Sequence, residues 1–162
     1  MLPAVVVEAA IAAELDGTRA WAKRYGLDLA WNSAERILRV TLVQANTQEP
    51  FFLQGQFDNY KALPPIWDWR DGTWSNPSTL PASPKPGTTP FGSPMFICHN
   101  NKAIICAPFN LLAYGTHGGP HSNWGDPAQW MTAGGNYVRA TIIGDMLQAI
   151  LRDFRFTAGH MA

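Results

Sequence analysis

Between Arg70 and Pro94 the chain places six of its thirteen prolines, together with Gly72, Gly87 and Gly92. Proline fixes φ and removes a backbone donor, so neither a helix nor a central strand can cross this stretch. Regular structure is therefore confined to the residues on either side. The stretch is too short and too embedded for a domain linker and reads as a long surface loop inside one domain. A length of 162 residues suffices for one core. With 46% hydrophobic and 15% charged residues, the composition is globular rather than disordered.

Before the proline-rich stretch, residues 1–25 read as helix. Val5, Ala9, Ala12 and Leu15 share one stripe, and Trp21 and Tyr25 continue it past a break expected at Asp16-Gly17. Gly26 is placed to stop the helix. β-Branched and aromatic runs then predict strands from Arg36 to Gln44, Phe51 to Phe57 and Ile66 to Trp69, with a turn from Asn46 to Glu49. Beyond the prolines, Met95 to Cys98 and Ala103 to Cys106 form a hairpin about Asn100-Asn101. That register pairs Cys98 with Ala103 and Cys106 with Met95, so no disulfide is expected. Asn110 to Asn136 is a second loop. Ile142, Ile143, Met146, Leu147, Ile150, Leu151 and Phe154 then mark a closing amphipathic helix. The order predicts one α+β domain over residues 1–162.

Twelve basic residues balance twelve acidic ones, and no block of like charge stands out. Nucleic acid and membrane surfaces are therefore not expected as partners. The apolar run from Met1 to Leu15 lacks a basic leader and contains Glu8 and Glu14, so it predicts neither a signal peptide nor a span. Two cysteines without a CxxC pair point to a reduced, cytoplasmic setting.

Chemistry converges on one thiol. Cys106 ends an apolar strand, and Pro108 stops that strand from continuing. A buried structural cysteine is the plain alternative. The functional reading needs an activating group, and the loop from Tyr114 to Asp126 holds His117, His121, Asp126 and four glycines. Gly118-Gly119-Pro120 excludes a helical His117/His121 metal pair, and further ligands are not evident, so no metal is expected. No phosphate-binding glycine loop or Gly-x-Ser-x-Gly elbow is present, and no cofactor is expected. Trp67, Trp69 and Trp74 read as packing groups.

Three features resemble the ubiquitin-conjugating enzymes. The first is the element order: helix, antiparallel meander, long loop, cysteine at a strand end, later helix. The second is Tyr60-Lys61-Ala62-Leu63-Pro64-Pro65, similar to the family's Tyr-Pro-x-x-Pro-Pro with Lys61 in place of the first proline. The third is Ala103-Ile104-Ile105-Cys106, similar to the family's Gly-x-Ile-Cys. From Ile105 to Trp130, the order Ile-Cys-Ala-Pro-Phe-Asn, Ala-Tyr, Gly-Gly-Pro-His, Trp-Gly and a further Trp resembles a bacterial branch of that family. The family's His-Pro-Asn falls here on Phe96-Ile97-Cys98, so its Asn is absent.

The resemblance implies a UBC-like fold with a four-stranded antiparallel meander. It also implies a transferase that carries a ubiquitin-like modifier as a thioester on Cys106. The implied partners are the modifier, a ubiquitin-activating-type enzyme and a target protein amine, and some relatives serve antiphage defence. In place of the missing Asn, His117 and His121 are the candidate catalytic partners. The Gly118 and Gly119 N–H groups and the Asn123 side chain are further candidate donors, but His121 is favoured, as oxyanion donor or as base toward the amine, acting in discharge rather than loading. Cys98 is expected to be structural and less reactive than Cys106. Two other readings stay open: a thiol hydrolase using Cys106, His117 or His121 and Asp126, and a non-catalytic adaptor that binds through its Trp-rich loop.

Overall fold

The computed structural model describes residues 1–135 and 137–162, and its architecture is α+β. The last residue of the expected second loop, Asn136, lies outside the described residues. Helix α1 (Ala4–Arg24) leads into strands β1 (Asp28–Asn32), β2 (Ile37–Val43), β3 (Pro50–Gln56) and β4 (Ile66–Arg70). These four pair antiparallel in the order β1-β2-β3-β4. A separate hairpin, β5 (Phe96–His99) and β6 (Lys102–Ile105), follows the proline-rich loop, and helix α2 (Ile143–Phe154) closes the core. Among the described residues, no helix is long and apolar enough to cross a membrane.

Helix α1 departs from expectation in two ways. It runs unbroken through Asp16-Gly17. A helical glycine costs only about 1 kcal/mol, and both flanking turns are anchored in the core. The buried stripe is Val7, Ile11, Thr18, Trp21 and Ala22, while Val5 is exposed. Thr18 can face inward because its hydroxyl donates to the Glu14 carbonyl one turn back. The helix stops as expected at Gly26, whose φ is +64° and behind which Leu27 N–H reaches back to Ala22 C=O.

Strand β1 carries little sequence signal, because its side chains alternate only between exposed and half-buried. The hairpin has the expected register, Cys98 opposite Ala103, with Asn100 and Asn101 both at positive φ. Phe51, Trp69, Phe96 and Phe154 meet in the core, with Phe154 stacked on Trp69. Trp67 is likewise buried, while Trp74 covers Phe52 on the outer sheet face. In α2 the inward stripe holds except at Ile142, which precedes the helix and is exposed.

Two polar clusters set the frame. The Glu14 carboxylate of α1 accepts from the Tyr60 hydroxyl, from Lys61 Nζ and from the first N–H of α2, that of Ile143. An anion at a helix start also meets the positive end of the helix dipole. Lys61 therefore has a structural use, neutralising a half-buried carboxylate. The buried amide of Gln44 donates to Thr157 Oγ1 and Gly159 O and accepts from Gly159 N–H. Residues 157–161 in turn bond to Ser83 and Lys85, which fixes the proline-rich loop against the body.

Candidate active site

Cys106 follows β6 directly, and its N–H donates to Met95 O at 2.7 Å. The turn after it is set by Asn110, a fully buried side chain. Asn110 Oδ1 accepts from Trp67 N–H and Leu112 N–H, and Nδ2 donates to Trp67 O and Ile105 O. One amide thus ties β4 to the end of β6 and to the loop that leaves the thiol. A polar residue inside the apolar run Pro108-Phe109-Asn110-Leu111-Leu112 is the signal that could have exposed this network.

The loop then doubles back on itself. His121 N–H donates to Ala113 O, and Gly115 N–H donates to His121 O, so His121 is pinned beside Tyr114. Between them the N–H groups of Gly118 and Gly119 close turns onto Gly115 O and Tyr114 O. Gly118 has a φ of +80°, and a Cβ on Gly119 would stand 2.2 Å from Leu112 O. The glycines are therefore required by turn geometry and close backbone approach.

This fold brings His121 Nε2 to 2.7 Å from Cys106 Sγ. The imidazole lies flat on Trp124 at 3.8 Å, with planes 1° apart, and Tyr137 stands edge-on to both rings. Burial is the main influence on both partners. It pushes the Cys106 thiol up to about 12 and holds His121 below its usual range. The Asn123 side chain pulls His121 back up, and the charge of nearby His99 pushes it down. Both burial effects favour the neutral pair, thiol with imidazole. The thiol is thus no standing thiolate, and its proton has a basic nitrogen in contact to move to.

His117 is not part of this pair. It sits exposed on the 3₁₀ turn Gly115–His117 with Nδ1 beside Thr116 Oγ1, lining a different cleft with Asp68, Arg70 and Lys102. Asp126 caps the turn Pro127–Gln129 by accepting from Ala128 N–H. Of the loop's polar side chains it is Asn123, not Asp126, that favours protonation of the His121 ring. Sequence reasoning also passed over Trp124 and Tyr137, since nothing local marks an aromatic that orients a histidine. Among the described residues, no group of three or more His, Cys, Asp or Glu side chains could hold a metal ion.

A cleft of about 250 Å³ opens at the thiol. Phe91, Pro94, Met95, Tyr137, Val138 and Arg152 are among the residues that line it. Asp153 is consumed structurally, accepting from Met95 N–H and from the Arg152 guanidinium.

The expectation for Cys98 is overturned in one respect. Cys98 is the exposed thiol, because its side chain points out of the hairpin, whereas Cys106 is buried. With a small uncharged alkylating reagent at neutral pH, Cys98 is expected to label ahead of Cys106. Peptide mass spectrometry over a time course reads the order. Faster labelling of Cys106 would show that the loop does not cover the thiol as described.

No family model matches this sequence, and comparison with curated proteins and with solved structures finds no match.

Proposed function

We propose that the chain is a ubiquitin-conjugating-type carrier that holds a ubiquitin-like modifier as a thioester on Cys106 and passes it to an amine. The single observation that carries this reading is the Cys106 Sγ to His121 Nε2 contact of 2.7 Å, beside a cleft that Cys106 helps to line. The sequence order of helix, meander, cysteine and helix and the Tyr60–Pro65 motif support the family resemblance.

The loading step needs no nucleotide on this chain, since the activating partner supplies a ready thioester. As Cys106 Sγ attacks the modifier's terminal carbonyl carbon, the thiol proton passes to His121 Nε2. The tetrahedral adduct collapses, the partner's sulfur leaves, and the proton is returned to it. In discharge an amine nitrogen attacks the same carbon. His121 takes one amine proton and delivers it to the departing Cys106 sulfur, which restores the neutral pair. One nucleophile and one proton carrier thus serve both steps.

The test combines the protein with its activating enzyme, modifier and ATP. A species heavier by one modifier should appear without reductant, disappear with thiol, and be missing in Cys106→Ala. Loading that persists in Cys106→Ala would sink the reading. The Cys106–His121 pair with Asn123 beside it is also compatible with a thiol hydrolase. That reading gains if the protein turns over thioester or peptide substrates catalytically with no activating partner.

A further inference from the structure

We propose that the backbone N–H of Ala107 is the donor that meets the oxyanion during acyl transfer at Cys106. The inference rests on the reading of Cys106 as an acyl carrier. When sulfur or an amine adds to the acyl carbon, the carbonyl π pair moves onto oxygen, and a fixed donor must stand close to that atom. The oxygen lies two bonds from Cys106 Sγ, so only groups next to the thiol qualify.

Most nearby donors are already committed. The Cys106 N–H, the most local choice, is held by Met95 O at 2.7 Å. The glycine N–H groups of the covering loop are held too, Gly115 by His121 O, Gly118 by Gly115 O and Gly119 by Tyr114 O. His121 N–H is held by Ala113 O, Asn110 N–H by Ala107 O, and the Tyr114 hydroxyl by Pro108 O. The Asn110 amide is spent on Trp67 and Ile105. Pro108 has no N–H. His121 Nε2 carries the proton and cannot also remain a fixed donor.

Ala107 is left. It lines the cleft beside Cys106, is 1% exposed, and its N–H has no acceptor among the described residues. Buried N–H groups are almost always paired, so one with no acceptor among the described residues, beside the thiol, is placed to receive an acceptor that arrives with the substrate. In the transfer step the new carbon–nitrogen bond forms, the oxyanion is held by Ala107 N–H, and the carbon–sulfur bond breaks as the oxygen re-forms its double bond. The amine proton travels through His121 to sulfur, so charge and atoms balance.

The test removes the N–H and keeps the methyl group, by replacing Ala107 with L-lactic acid through semisynthesis. Both proteins carry Cys98→Ser, so that Cys106 is the only thiol, and Cys106 is acylated by exchange with the N-acetylglycine thioester of 2-mercaptoethanesulfonate, a probe that needs no activating enzyme. Single-turnover discharge to free lysine is then followed by mass spectrometry. The lactate protein should discharge about a hundred- to a thousand-fold more slowly. Its Cys106 should be alkylated by iodoacetamide at the wild-type rate, since alkylation builds no oxyanion. Unchanged discharge would overturn the assignment, as would alkylation slowed in parallel, which marks a displaced thiol. Normal discharge in the lactate protein with slow discharge in Tyr137→Phe would instead give the role to the cleft's phenol. A wild-type protein that takes the acyl group neither from this probe nor from an activating enzyme would overturn the carrier reading itself.

Discussion

His121→Ala is expected to slow both the loading of Cys106 and its discharge by about a hundred- to a thousand-fold, the size of one lost general-base contact. The sequence alone suggested a role in discharge only. Contact at 2.7 Å with the thiol extends the expectation to loading. The pH profile separates chemistry from mere packing. In the wild type, His121 is held below the usual histidine range, so its basic form persists through neutrality. The rate should be flat near pH 7 and fall only in acid, below the ordinary histidine value of about 6.5. In His121→Ala that acid limb should vanish. The rate should then climb with alkali, because a thiol pushed up to about 12 must shed its proton unaided. His121→Gln fills the space under Trp124 but cannot shuttle a proton, and it should behave as His121→Ala does. A variant that keeps wild-type rates and the acid limb would remove His121 from the chemistry.

Asn110→Ala is expected to cost about 3 kcal/mol or more of folding stability. The side chain is fully buried and serves Trp67 N–H, Leu112 N–H, Trp67 O and Ile105 O. Truncation leaves these backbone groups facing a dry cavity, at about 1–3 kcal/mol for each group left unmade. Asn110→Asp should fare no better, since a carboxylate accepts but cannot donate to two carbonyls. Urea denaturation reads the loss as a lower midpoint at unchanged slope. A loss below about 1 kcal/mol would mean that water replaces the amide.

Much of the fold was legible because its signals are local. The Asn100-Asn101 turn, the Gly26 stop and the stripe Ile143 to Phe154 each state their geometry within a few residues, and all three appear as expected. The orientation of α1 was not legible. Its alanines contribute little to any face, and Thr18 looks polar in sequence yet closes its own hydrogen bond inside the core. Strand β1 was missed because an edge strand with half-exposed side chains carries almost no alternation.

At the site, the loop's wealth of histidine and glycine drew attention to this region, and the rigidity that Pro120 lends favoured His121 over His117. That choice is made by the bonds of His121 to Ala113 and Gly115, long-range only after the loop has folded back. Asn110, Trp124 and Tyr137 act through distance in space. The exposure of Cys98 followed from which side of a two-residue turn each side chain takes, a matter that strand pairing alone leaves open.

Burying Cys106 has a consequence for durability. Peroxide and related oxidants attack thiolates that they can reach. Cys106 offers neither condition at rest, being 8% exposed and held in its protonated form. Cys98 lies open on the hairpin and meets oxidant first. The molecule therefore places one sulfur outside and keeps the one beside His121 out of the path of chemical damage.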